Sequence, residues 1–115
     1  MYNMNKIISA KNFEKNSKLC ELFITELKDY KIGLSTNIHI YAPQATDTRK
    51  DYRICHVTPI SNTEIVIKES HPNTLKSNLY NKLQKEIASL GYSFGKNIFS
   101  GEDEINDFIK AIKNV

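Results

Sequence analysis

The two histidines His39 and His56 bracket a stretch that holds both arginines of the chain, Arg49 and Arg53, together with Lys50, Tyr41 and Tyr52. Histidine exchanges protons near neutrality, and the planar guanidinium fork suits phosphate or carboxylate. Two histidines on facing strands beside a cation are the minimum a metal-independent ribonuclease would use, one as base and one as acid. Without catalysis, Tyr41, Arg49, Lys50, Tyr52, Arg53 and Lys68 would form a contact surface, because tyrosine supplies ring area at low entropic cost. Asp47 and Asp51 lie in the same loop and are alternative, purely local partners for the two arginines.

Other motifs carry less. His56-Val57-Thr58 resembles the His-x-Thr element of two-histidine phosphoesterases, but neither His39-Ile40-Tyr41 nor His71-Pro72-Asn73 supplies the second copy that this chemistry needs. The four glycines are scattered, so there is no phosphate-cradling loop. Cys20 and Cys55 have neither a CxxC neighbour nor a spaced histidine and read as reduced core residues. Glu102, Asp103 and Glu104 open a helix that closes on Lys110 and Lys113, the order a helix dipole favours, so the acidic run needs no metal. No cofactor is expected.

The elements that must position the histidines are short strands. Period-two alternation predicts strands over 37–42, 52–58 and 63–68. Pairing Ala42 with Arg53 sets Ile40 opposite Cys55 and Ile38 opposite Val57, an apolar face that Ile65 and Ile67 join. The same register collects His39, Tyr41, Tyr52, Ile54, His56 and Thr58, with Glu64, Val66 and Lys68, on a second, mixed face. A slip by one residue would dissolve that face. The connecting loop, 43–51, is long for a hairpin.

Helices flank these strands. Leu19, Leu22, Phe23, Leu27 and Tyr30 predict a helix over 12–30, with Phe13 extending its stripe, Lys28 and Lys31 in its last turn and Gly33 as its stop. Leu75, Leu79, Leu83, Ile87 and Leu90 predict a second helix, capped by Ser70 or Asn73 and ended by Gly91. A fourth strand is expected over 92–99, with a bend at Gly95. Ser100 and Asp103 then form a capping box ahead of the stripe Ile105, Phe108, Ile109 and Ile112. The order α-β-β-β-α-β-α predicts an α+β fold: a two-layer sandwich with a mainly antiparallel sheet of about four strands and helices on one face. Up to the second helix this order is similar to that of double-stranded-RNA-binding domains and of small toxin nucleases, a likeness of topology without motifs.

Length and charge bound the function. A chain of 115 residues, 40% hydrophobic and 25% charged, is expected to form one domain over 1–115 with a core of its own. No apolar run approaches the roughly 20 residues of a membrane span, and Ile7 and Ile8 are too small a centre for a signal sequence, so a cytoplasmic location is expected. The net charge of +3 permits an acidic partner without demanding one. Fourteen lysines against two arginines, with 12 asparagines and 15 isoleucines, is the skew of AT-rich coding and points to a low-GC bacterium or its phages.

The reading is a small non-enzymatic interaction domain of phage or mobile-element type, blocking a host nucleic-acid-handling complex through its open sheet face and the 43–53 loop. A protein partner is favoured over nucleic acid, with no membrane role. Three alternatives remain: a toxin-like ribonuclease using His39 and His56, an RNA- or DNA-binding module, and a homodimer formed through an edge strand or through Ile54 and Val66.

Overall fold

The computed structural model describes residues 6–7, 17–34, 37–43, 53–69 and 79–115. In chain order these are β1 (Lys6–Ile7), α1 (Ser17–Glu26), β2 (Lys31–Leu34), β3 (Ile38–Tyr41), β4 (Arg53–Pro59), β5 (Glu64–Lys68), α2 (Leu79–Ser89), β6 (Ile98–Ser100) and α3 (Gly101–Lys113). The strands form one sheet in sequence order, antiparallel from β2 to β6, with β1 parallel to β2 at one edge. The fold is therefore α+β with an open antiparallel sheet, as the periodicity predicts, and among the described residues the sheet has six strands where about four were expected.

Of the two additional strands, β1 is a two-residue edge near the N-terminus and β2 comes from the segment read as the end of the first helix. Among the described residues α1 stops at Glu26, Leu27–Asp29 turn, and Lys31 starts β2. Gly33 therefore lies within a strand and stops nothing. The competing signal was Ile32 and Leu34, which alternate with Lys31 and Gly33 and are buried. The expected strand over 92–99 is likewise shorter: only Ile98–Ser100 pair with β5, and the chain before them turns through Gly95 at φ +90°. The predicted α2 caps, Ser70 and Asn73, and the residues Phe13 and Leu75 lie outside the described residues.

The three described helices pack on one side. Leu19, Cys20, Phe23 and Leu27 from the α1 region, Leu83 and Ile87 from α2, and Ile105, Phe108, Ile109 and Ile112 from α3 join a single buried cluster. The sheet contributes Ile32, Leu34, Ile38, Ile40, Ile54, Cys55, Val57, Ile65, Ile67 and Phe99 to that cluster. Phe108 ties the layers together, with ring centroids 5.9 Å from Phe23 and 5.1 Å from Phe99. Tyr30 reaches the same helix, donating from its hydroxyl to the Ile112 carbonyl at 3.4 Å. Gly91, at φ +102°, ends α2 in the left-handed region that a side chain resists.

At the start of α3 the capping box is not the one expected. The Ser100 hydroxyl caps nothing in the helix and instead donates to Glu64 Oε2 at 2.7 Å. The return bond to the Ser100 backbone N–H, at 2.9 Å, comes from Glu104 rather than Asp103. Glu102, Asp103 and Glu104 occupy the first turn and Lys110 and Lys113 the last, as predicted.

The register of β3 on β4 matches the expected one at Ile38↔Val57, His39↔His56 and Ile40↔Cys55, then shifts so that Tyr41, not Ala42, opposes Arg53. Ile54 is the extra residue of a β-bulge. Because one residue reverses every side chain beyond it, Ile54 enters the core beside Cys55, and Arg53 moves to the opposite face. Ile54 is thus removed from the mixed face and from any dimer contact there. The tandem Ile54-Cys55, both apolar, was the available sign of this bulge. Ile54→Ala is expected to cost about 2–4 kcal/mol in urea denaturation, while Ile60→Ala, half exposed in the β4–β5 turn, stays within about 0.5 kcal/mol. Similar losses for the two would place Ile54 outside the core.

Candidate functional site

Strand pairing arranges the helix-free face in rows that cross the strands. One row is Lys31, Tyr41 and Arg53; the next is Gly33, His39, His56 and Lys68; then come Thr58, Val66 and Ile98; the last is Glu64 and Ser100. Their neighbours along each strand, such as Ile32, Ile40, Val57, Ile65 and Phe99, face the core. Among the described residues no helix covers this side.

The expected histidine pair is present. The rings of His39 and His56 meet edge to face, with centroids 4.3 Å apart and planes at 80°. Beside them the Arg53 guanidinium lies over the Tyr41 ring, 5.6 Å from its centroid. A methyl built at Gly33 would sit 3.8 Å from the His39 Cβ and 3.9 Å from Tyr41 Cε1, ordinary contact distances, so β2 runs beside both side chains without requiring glycine there. His39, Arg53 and His56 are half-buried, and all three are engaged in polar or ring contacts. Tyr41 is only 4% exposed, so it is not the open aromatic platform expected of it. Burial, and secondarily the Arg53 charge, lower the proton affinity of His39 below that of a free histidine.

Of the residues singled out in the sequence, His39, His56, Tyr41, Arg53 and Lys68 therefore converge on one face. Arg49, Lys50 and Tyr52 lie outside the described residues, as does the loop beyond Pro43. Lys31, assigned by periodicity to a helix end, is added to the face by β2. The thiols offer no alternative chemistry: Cys20 and Cys55 are free and buried, and burial pushes both away from the thiolate. Among the described residues no group of three or more His, Cys, Asp or Glu side chains is placed to hold a metal ion, and no helix is long and apolar enough to cross a membrane.

A second constellation escaped the sequence reading. Gln84, the buried polar side chain of α2, accepts from the Gly95 N–H and donates to the Tyr80 hydroxyl, both at 2.9 Å. It thereby pins the loop before β6. In that loop Lys96 lies 5.2 Å from the Tyr92 ring centroid, 5.1 Å from that of Phe99, and 3.5 Å from Glu104. Tyr92 donates to Asp107 at 2.7 Å, and this bond is the main reason its phenol is pushed up to about 12. An open cavity of about 400 Å³ beside the loop is lined by Gly91, Tyr92, Ser93, Lys96, Asn97 and Ile98. Its cation is already neutralised by Glu104, so the cavity has the character of a structural corner. The only hint in the sequence was a polar Gln84 next to Leu83 on an otherwise apolar helix face.

No protein-family model, curated protein or solved structure matches this chain.

The His39 environment fixes a sign for pH dependence. A histidine whose proton affinity falls on folding contributes stability that is present above its ordinary value of 6.5 and is lost as pH falls below it. Urea midpoints are expected to drop from about pH 7.5 to about pH 5.5, and to drop less in His39→Gln. An identical pH slope in the variant would exclude His39 as the source.

Proposed function

We propose that this chain is a non-catalytic protein-interaction module that engages its partner through the helix-free face of the sheet. The observation that carries the reading is the convergence of Lys31, Tyr41, Arg53, His39, His56 and Lys68, drawn from four strands, on the side opposite the helices. A sheet face that carries cations and half-buried Val66 and exposed Ile98 side by side suits a surface that is both charged and apolar, as protein interfaces are. Nucleic acid is the weaker alternative. A base needs an open ring to stack on, and Tyr41 at 4% exposure does not present one.

The ring contact of His39 with His56 is the one feature that favours a ribonuclease, since it supplies an acid and a base side by side. The contact itself argues against that use. At 4.3 Å between centroids the rings touch, leaving no room for a phosphate between them, whereas in-line cleavage places base and acid on opposite sides of the phosphorus.

Both readings meet the same test. Arg53→Glu combined with Lys68→Glu is expected to abolish capture of the partner from a cell lysate, while Lys82→Glu with Lys110→Glu, on the helix layer, leaves capture intact. Loss from both pairs would move the binding surface away from the sheet. A labelled RNA incubated with the wild-type chain is expected to stay uncut; cleavage that disappears in His39→Ala and His56→Ala would install the ribonuclease instead.

A further inference from the structure

We infer that the outer edge of β6 is a pairing site for β6 of a second copy of this chain, and that the carboxylate of Glu104 holds it shut. This edge is a different surface from the helix-free face. Among the described residues β6 is the last strand of the sheet, with β5 on one side and no strand on the other. In an antiparallel ladder, alternate residues turn their backbone groups toward opposite neighbours. Asn97 and Gly101 turn theirs to β5: the Ile67 N–H donates to the Asn97 carbonyl and the Gly101 N–H to the Thr63 carbonyl, both at 2.8 Å. Phe99, between them, does the same by alternation. Ile98 and Ser100 therefore present N–H and C=O outward along the edge, and both residues are exposed. Ser100 keeps extended angles, φ −126° and ψ 134°, although α3 starts at the next residue.

One of these outward donors is already taken. The Ser100 N–H donates to Glu104 Oε1 at 2.9 Å, and the Lys96 ammonium lies 3.5 Å from the same oxygen. Besides capping α3, this bond puts a carboxylate where an added strand would place its carbonyl. Charged side chains on a short edge strand are a common way for a sheet to refuse other chains, and β6 has only three residues.

A second copy fits the outward groups closely. Two β6 edges pairing antiparallel about a two-fold axis at Phe99 set Ile98 of each against Ser100 of the other. Every outward N–H and C=O of these residues then has a partner, and half of the bonds need the Ser100 N–H that Glu104 occupies. An axis at Ile98 would instead set Ser100 against Lys96, whose N–H is already given to the Ser93 carbonyl at 3.1 Å. The register about Phe99 also carries Lys96, about 7 Å before Ile98, past Ser100 of the second copy toward the start of its α3. Glu102, Asp103 and Glu104 occupy that first turn, so the cation of each copy meets the acidic turn of the other.

The tests are amide hydrogen exchange and sedimentation equilibrium over a concentration series, both on the full chain. In the dilute wild type the Phe99 amide is expected to be protected and the Ile98 amide to exchange at least about tenfold faster. Equal protection of the two would show the edge already covered and overturn the inference, and this comparison needs no variant. Glu104→Ala is expected to bind a second copy about tenfold or more tightly than the wild type, with the Ile98 amide becoming protected as dimers form. Glu104→Gln keeps an oxygen for the Ser100 N–H and is expected to associate as the wild type does. Ile98→Pro removes an outward donor without touching the β5 ladder, and added to Glu104→Ala it should restore the monomer. If Glu104 serves α3 alone, Glu104→Ala melts earlier and associates no more than the wild type, which overturns the inference. Dimers that persist with Ile98→Pro, or Glu104→Gln pairing as tightly as Glu104→Ala, overturn it too.

Discussion

The pairing of β3 with β4 runs in register through Ile40↔Cys55 and then absorbs one extra residue, Ile54, before Tyr41↔Arg53. Two costs compete at that point. Strict alternation would send Arg53 into the core with Cys55 and Val57 and turn Ile54 outward. Burying a cation without compensation costs several kcal/mol, and exposing an isoleucine forfeits about 1.5–3 kcal/mol more. A bulge gives up a ladder hydrogen bond, worth about 1 kcal/mol net. The bulge is the smaller cost, and it decides the character of both faces. Ile54 and Cys55 both enter the core, and Arg53 comes to lie over Tyr41 next to the histidines.

The rest of the architecture accounts for why that second face has no helix among the described residues. From β2 to β5 the strands follow one another as antiparallel neighbours. The helices precede or follow this run, and their stripes all meet one core. Phe23, Phe108 and Phe99 join α1, α3 and β6 through ring contacts, so burying one helix against the sheet draws in the next. The last layer of stabilisation is polar: Gln84 spends a buried amide on fixing the turn at Gly95, and β6 emerges from that turn onto β5.

How much of this could be read in the chain depended on whether the signal was local. The stripe of α3, its charge order, the burial of the cysteines and the His39–His56 neighbourhood all follow from period and pairing, and all are present. What was missed depended on tertiary context. Lys31-Ile32-Gly33-Leu34 carries only four residues of alternation, which a preceding helical stripe easily absorbs, and the strand forms because β3 offers it a ladder. The bulge is legible only in Ile54-Cys55, where two adjacent apolar residues deny the alternation that the rest of β4 obeys. Tyr41 was expected to be open because it sits on the mixed face; its burial comes from what lies over it, Arg53 among them, and no sequence period encodes that.

Among the described residues a cation meets an aromatic ring in two places. Lys96 lies over Tyr92 and Phe99 with Glu104 at 3.5 Å, so that corner is close to neutral and adds to stability. Arg53 lies over Tyr41 with His39 close enough for its charge to oppose protonation of that ring, and Lys31 and Lys68 stand in the adjoining positions of the sheet. Burial and the Arg53 charge both oppose the proton of His39, so this end of the helix-free face loses stability as pH falls, where a neutral side chain in place of the imidazole would not.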